Sequence, residues 1–577
     1  MRDKWIRYAV LITFVGMSSS GFPARAQQFS PWSAPVNLNN VVLNDGTVCP
    51  AVVNSTSPDR NDTHPAVSKD GLSLYFASTR AGGFGEYDLW VSHRDSLDAC
   101  WGVPVNLGSP VNTSAREFAP NISPDGHWLF FHSKRQAGSC GNGTVQELWA
   151  AHREDTSNDL GWEPPINLGC SVNAVKNPVS GSLTDSAGPN FFDDGSGKLN
   201  LYFTRNVFPG DQQGFHIYVS TCSADITTCN TQGLWDQGIA VSALNSAFRD
   251  TRTAIRHDGL EMFLSSGRSG SLASENLWVS TRATTQHQSW LPPEPVNCDD
   301  MAVCSVWNPE GPLVNSNAFD GSPALSWDST ELYFFVSSPA LFNATGCTEG
   351  SVQEFPDSAP ACRDLYVTKR TYITKTVLSS SANPSVFGQS VAFTATVSSA
   401  ADSPPTGTVT FSDGPSSLGM ATLASGQAAF TTSSLVLGSH SITGQYSGDR
   451  ISSASSASLT QNVEYGICPI YDQTRSVHSG ATFPIKLQLC DANGNDLSSS
   501  AIIVHATSVN AVSGFSGTPD ASGNANPDND FRFDPTLGTT GGYIFNLSTG
   551  GLASGTYSLE FIAGSDPITH SVNFGVN

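Results

Sequence analysis

Charge is what this sequence has least of. Asp, Glu, Lys and Arg make up 14% of its 577 residues, against roughly 25% in an average soluble chain, and the basic side is the scarcer, with 28 Lys and Arg to 50 Asp and Glu. The first 26 residues hold four Lys/Arg and one Asp, so the formal charge of −22 becomes −25 without them. A field of that sign repels phosphate backbones and anionic lipid heads, which excludes nucleic acid and membrane surfaces as expected partners. The acidity itself serves solubility. Past residue 26 no apolar run is long enough to cross a bilayer, so membrane insertion is not expected. Gly-x-Ser-x-Gly, His-Glu-x-x-His, a phosphate-binding Gly loop and a dinucleotide fingerprint are all missing, which removes the commonest enzyme classes. So is Cys-x-x-Cys, which argues against a zinc or thioredoxin-like site.

What is present starts with an export signal. Arg2, Lys4 and Arg7 precede an apolar run from Ala9 to Met17 and the small-residue pattern Ala24-Arg25-Ala26. This reads as a signal peptide (1–26) cleaved after Ala26, with the mature protein periplasmic or extracellular. No Cys follows the cut, so no lipid anchor is indicated. Twelve Cys in an exported chain predict disulfides. Four pairs of neighbours close short loops and are the expected bridges: Cys222 with Cys229, Cys298 with Cys304, Cys347 with Cys362, and Cys468 with Cys490. Cys49 with Cys100 and Cys140 with Cys170 are further pairs.

Residues 27–371 repeat one unit five times. The copies begin at His64-Pro65-Ala66, Ala119-Pro120-Asn121, Gly188-Pro189-Asn190, Thr251-Arg252-Thr253 and Ser322-Pro323-Ala324. Each continues into a turn pair, Asp70-Gly71, Asp125-Gly126, Asp194-Gly195, Asp258-Gly259 and the degenerate Asp328-Ser329. Asp-Gly between apolar runs predicts a hairpin with a type I′ turn. A second strand and a third with a fixed aromatic (Trp90, Trp149, Tyr218, Trp278, Tyr366) follow in every copy. A fourth element, Trp101-x-x-Pro-Val-Asn-Leu107 and Trp162-x-x-Pro-Ile-Asn-Leu168, weakens to Trp235–Leu244 and, after an insertion, to Trp307–Val314. The fifth copy lacks it, while an orphan, Trp32-Ser-Ala-Pro-Val-Asn-Leu38, opens the mature chain. Circular closure accounts for both: the orphan strand completes the last sheet, giving an all-β fold headed by a five-bladed β-propeller without exposed edges. The motifs Ser123-Pro124-Asp125-Gly126, Ser78-Thr79-Arg80 and Asp88-Leu89-Trp90 resemble the TolB-type, WD40-like propeller repeat. That resemblance implies a binding or assembly module of the cell envelope; the fifth copy departs from it, with Pro339 in place of Arg.

From Thr376 the texture becomes Ser/Thr/Ala-rich alternation with turn signals, which predicts β-sandwiches. Asn383-Pro384-Ser385-Val386-Phe387-Gly388, Pro405-Thr406-Gly407-Thr408-Val409 and Tyr446-Ser447-Gly448-Asp449 resemble a bacterial Ig-like repeat, assigned to 372–463. Phe483-Pro484-Ile485-Lys486-Leu487, Phe531-Arg532-Phe533-Asp534 and Tyr543-Ile544-Phe545-Asn546 are similar to a PxKF domain, assigned to 464–577, with Leu487 in place of the motif's Phe.

The candidate ligand-binding residues are Asp62, Glu117, Asp185, Asp250 and Asp320, an acid ahead of each first strand, together with His64, which occurs in one copy only. First strands line a propeller's channel, so these carboxylates are expected around one mouth. There they would favour a polyhydroxy ligand or a cation, or supply the acid and nucleophile of a glycoside hydrolase. The opposing reading makes a residue repeated in every blade architectural. Arg80, Arg135, Arg205 and Arg268 recur as inter-blade donors. Asp491-Ala492-Asn493-Gly494-Asn495-Asp496 has calcium-loop alternation, but Ile502 stands where the bidentate Glu belongs, so a turn is expected. No cofactor or metal is expected, and a bound Ca²⁺ is unsupported. The leading reading is a non-enzymatic propeller that recognises a carbohydrate or protein. A glycoside hydrolase and a purely structural envelope protein are the alternatives.

Overall fold

The computed structural model describes residues 28–56, 61–177, 181–206, 214–272, 275–286, 289–296, 314–316, 318–337, 363–512, 516–520 and 526–577. The export signal lies outside these residues. So do Cys298 and Cys304, and likewise Cys347 and Cys362, so the two bridges expected between them fall outside the described residues. The described residues form two compact units, Pro31–Thr371 and a second made of Tyr372–Asn577 with residues 28–30.

In the first unit the described residues form five four-stranded antiparallel sheets. Their inner strands, Asp62–Val67, Glu117–Ile122, Ser186–Asp193, Asp250–Ile255 and Phe319–Leu325, neighbour one another in that order, and the last returns to the first. The ring is therefore closed. Its closure is the one expected: Val36 pairs with Val367 and Asn37 with Tyr366, so the N-terminal strand is the outer strand of the last blade. Large rings from facing sheets fill the spaces between blades, as with Tyr75, Phe118, Phe131 and Trp149 in one cluster and Trp128, Phe130, Phe191 and Trp235 in the next. A small sheet has two apolar faces and must bury both, which stacking neighbours in a circle achieves.

Two sequence expectations need correction. The turns are not type I′: in Ser68-Lys69-Asp70-Gly71 the Gly71 N–H donates to the Ser68 carbonyl, and Gly71 (φ 73°) has positive φ while Asp70 does not. Asp70 instead accepts from Ser68 Oγ and Leu72 N–H, an Asx-type brace that serves the same reversal. The fourth strand of the fourth blade is Glu294–Pro295, paired with Trp278–Val279 and preceded by Trp290; of the expected Trp307–Val314, residues 307–313 lie outside the described residues. Trp290 to Val296 is itself a copy of the Trp…Pro-Val element, obscured by a second Pro.

In the second unit, Phe29 packs on Tyr372 with ring centroids 4.4 Å apart. Two sandwiches follow. In the first, a three-stranded sheet with Val391–Ser398 at its centre and a five-stranded sheet containing Gly438–Tyr446 enclose Phe393, Phe411, Ile442 and Tyr446. The strict alternation of burial along Val391–Ser398 is the period-2 pattern of a half-buried strand. In the second, four- and five-stranded sheets enclose Ile485, Leu487, Tyr543, Phe545, Phe561 and Phe574. Disulfides join Cys49–Cys100, Cys140–Cys170, Cys222–Cys229 and Cys468–Cys490, as expected.

Candidate functional site

Every inner strand carries one residue in the left-handed region at the same place: His64 (φ 54°), Ala119 (51°), Gly188 (58°), Arg252 (45°) and Ser322 (54°). Pairing with the second strand slips there in all five blades. These are β-bulges, which bend a strand and re-aim its side chains. The five bulged residues are the floor of a cavity of about 110 Å³ on the propeller axis, walled by the strand residues that follow them. Pro65, Asn121, Asn190, Phe191, Thr253 and Trp327 are among its lining, and Lys69 stands over the Trp327 ring at 4.5 Å.

The carboxylates expected to ring this channel do not line it. Asp62, Glu117, Asp250 and Asp320 are completely buried. Asp62 accepts from Ser55 N–H (2.6 Å), Ser78 Oγ (2.6 Å) and Arg80 Nη2 (2.6 Å). Glu117 does the same with Thr113, Ser133 and Arg135, and Asp250 with Ser246, Ser266 and Arg268. Each arginine also donates to a carbonyl in the preceding loop, that of Val53, Val111 or Leu244, and lies against the aromatics of its own second and third strands. The acid, Ser and Arg thus form one clip in each of these three blades, which is the architectural reading.

Two blades depart from the clip. In the third, Ser186 occupies the acid's place and Asp185 lies one residue outside, accepting from the Gln146 N–H at 2.7 Å. Arg205 there is left with the Val172 and Gln237 carbonyls and a long contact to Ser186. Burial pushes its guanidinium down to about 10. In the fifth blade Asp320 accepts from Ser316 and Asn276, and burial pushes its carboxyl up to about 7.

Two further repeated groups escaped the sequence reading. Asn54, Asn112, Asn173, Asn245 and Asn315 each bond both the N–H and the C=O of a third-strand residue (Leu365, Leu89, Leu148, Ile217, Leu277). Their signal was a recurring Val/Leu-Asn ahead of the loop that meets each acid. Arg94, Arg153, Arg282 and Arg370 bond the carbonyl of a hairpin-turn residue and cover Trp101, Trp162, Trp290 and Trp32 at 4.1–4.5 Å. The Arg370–Trp32 copy belongs to the closing strand.

Beneath the cavity floor, Phe118 is buried between His64 (ring centroids 4.1 Å apart), Tyr87 (4.6 Å) and His132 (5.5 Å), with the guanidinium carbons of Arg116 and Arg252 at 5.7 and 5.8 Å. His64, the one sequence candidate that lines the cavity, has Nδ1 2.8 Å from Thr63 Oγ1. Burial, then the nearby arginines, hold both His64 and His132 well below the usual histidine range, so both are neutral. Glu275, paired with Arg249 at 2.8 Å, is raised by burial. Among the described residues Glu464, Asp566 and His570 could meet one metal ion, but Asp566 already accepts from Tyr465 N–H and lies 2.9 Å from His570 Nε2. Asp491 accepts from Asn493 and Asn495 N–H, the expected turn.

Fold and site together define an all-β protein, a closed propeller with an axial cavity in one unit and two sandwiches in the other. Residues 378–464 match the family model of the bacterial Ig-like domain (group 3). Solved structures similar to the chain include an α-L-arabinofuranosidase from Lactobacillus brevis, at 14% identity over 57% of this chain and 94% of that one, TM-score 0.34. An endo-arabinase from Bacteroides thetaiotaomicron is similar at 13% identity over 56% and 97%, TM-score 0.32. An α-L-arabinanase from Penicillium chrysogenum, solved with arabinobiose, follows at 14% over 59% and 96%, TM-score 0.30. Likenesses of this size transfer no chemistry. No curated protein matches the chain.

Proposed function

We propose that this is an exported binding protein whose propeller recognises a carbohydrate in the axial cavity without cleaving it. One observation carries the reading. Asn190 Oδ1, Thr253 Oγ1 and Ser322 Oγ are buried atoms of cavity-lining residues with no hydrogen-bond partner among the described residues, beside the rings of Phe191 and Trp327. Buried polar atoms are nearly always satisfied. An amide and two hydroxyls left open next to aromatic faces suit a ligand that is polar at its edges and apolar on its faces, as a pyranose ring is. A glycoside hydrolase needs two opposed carboxyl groups, and among the described residues no Asp or Glu lines the cavity.

Export is supported by the N-terminal signal pattern and by the four disulfides. The repeat motifs support a TolB-type propeller, and the motifs quoted for 464–577 support a PxKF-type domain.

A glycan array and a parallel hydrolysis screen of the full chain test the proposal. Retention of at least one glycan without turnover is expected, with Trp327→Ala weakening it about tenfold, the scale of one lost stacking contact. Turnover of any glycan by the full chain overturns the binding reading and establishes the hydrolase alternative instead.

A further inference from the structure

The cavity's charged lining is of the sign this sequence has least of. In a chain with 50 acidic and 28 basic residues, the lining includes Lys69, Arg252 and the neutral His64, and no carboxylate among the described residues. An arbitrary patch of this surface would carry the opposite sign. Arg252 is buried, adopts the left-handed backbone of its bulge and has its guanidinium carbon 5.8 Å from the Phe118 ring. Gly188 makes room for it: a Cβ at that position would collide with Arg252 Nη1. The same Gly188 donates its N–H to His132 Nδ1 at 3.1 Å. With Nδ1 accepting, the proton of neutral His132 sits on Nε2, which is buried with no partner. Behind the floor, Arg249 and Arg363 act electrostatically on His64, and Arg116 on His132. Glu275, whose charge Arg249, Arg252 and Arg363 all stabilise, answers them. The potential along this end of the axis is thus set by guanidinium groups, in a dry interior where charge acts strongly.

Resting on the carbohydrate reading above, we propose that the recognised sugar is anionic, bearing a carboxylate or a sulfate that Arg252 and Lys69 bind, while Ser322, Thr253 and Asn190 take its hydroxyls. Arginine matches either oxyanion through paired N–H donors, and lysine at the rim adds a point charge that steers the ligand in. A neutral sugar would gain nothing from that potential.

Calorimetry of the full chain against short oligogalacturonides, sulfated galacto-oligosaccharides and neutral galacto-oligosaccharides of equal length tests this. We expect one acidic series to bind at least about tenfold tighter than the neutral series, with affinity falling as salt is raised. The carboxylated and sulfated arms identify which oxyanion is read. Lys69→Gln, an exposed substitution that leaves the fold intact, is expected to cost the acidic ligand about tenfold and the neutral ligand nothing. Arg252→Gln is expected to cost more. Equal binding of neutral and acidic series with no effect of Lys69→Gln overturns the charge inference and leaves the carbohydrate reading standing. Binding in no arm overturns the charge inference, and together with an empty glycan array it overturns the carbohydrate reading as well.

Discussion

At the residue scale the decisive fact is that the buried carboxylate of three blades, Asp62, Glu117 and Asp250, is a strut. Where the clip is complete, as at Asp62 with Ser78 and Arg80, the buried acid has a cation and several donors, the condition under which a buried charge is tolerated. The two incomplete copies make testable exceptions. Asp320 has no arginine among its bonds, and its carboxyl titrates at about 7 in the fold. A raised folded-state value means the native protein holds the proton more tightly than the unfolded chain. The stability this contributes is complete below the ordinary aspartate range and is lost as pH rises toward 7, on the order of 4 kcal/mol over that window. Asp320→Asn should flatten this part of the stability–pH curve, read by denaturant melts from about pH 4 to about pH 8. In the third blade Ser186→Asp would give Arg205 the acid it lacks. It should raise stability by about 1 kcal/mol and hence the melting temperature; a fall would mean that the Ser186 pocket is too tight for a carboxylate.

At the scale of strands and loops, legibility followed periodicity. The turn pairs, the third-strand aromatic and the orphan Trp32–Leu38 were readable because each repeats at a fixed spacing and each is needed for one sheet to pack on the next. Asp185 was misassigned because counting back from Pro189 is not enough: successive strand residues point to opposite faces, so a one-residue slip moves a side chain from between the blades to elsewhere. The Ser186–Arg205 pairing, not the spacing, fixes which residue joins the clip. The bulges were invisible for a related reason. His64, Ala119, Gly188, Arg252 and Ser322 share no chemistry, only a positive φ, and a backbone state common to five different side chains leaves no mark in composition.

At the scale of the whole molecule, closure holds the first unit together. The strand Val36–Asn37 supplies few backbone bonds, but Trp32 beneath Arg370 and the Cys49–Cys100 bridge bind the same N-terminal segment to the ring. In the chain-entropy account a bridge closing a loop of 51 residues contributes about 4 kcal/mol. Removal of residues 28–40 should therefore expose the edge at Asp364–Lys369 and lower the propeller's melting temperature. Aggregation should follow, visible by light scattering, because an unpaired strand edge recruits other chains. A variant melting as the intact chain does would show that the head-to-tail strand is dispensable.

The sequence by itself determined the β architecture, the five-fold repeat and the head-to-tail join. All three follow from local alternation, turn residues and self-similarity, which a linear string carries in full. Tertiary structure decided what the axis presents. Whether a carboxylate faces its own blade or the channel depends on bulges and on strand register, and those are settled only when neighbouring sheets meet. That packing turned three of the acids inward onto their arginines and left Arg252, Lys69 and three unsatisfied polar side chains at the cavity.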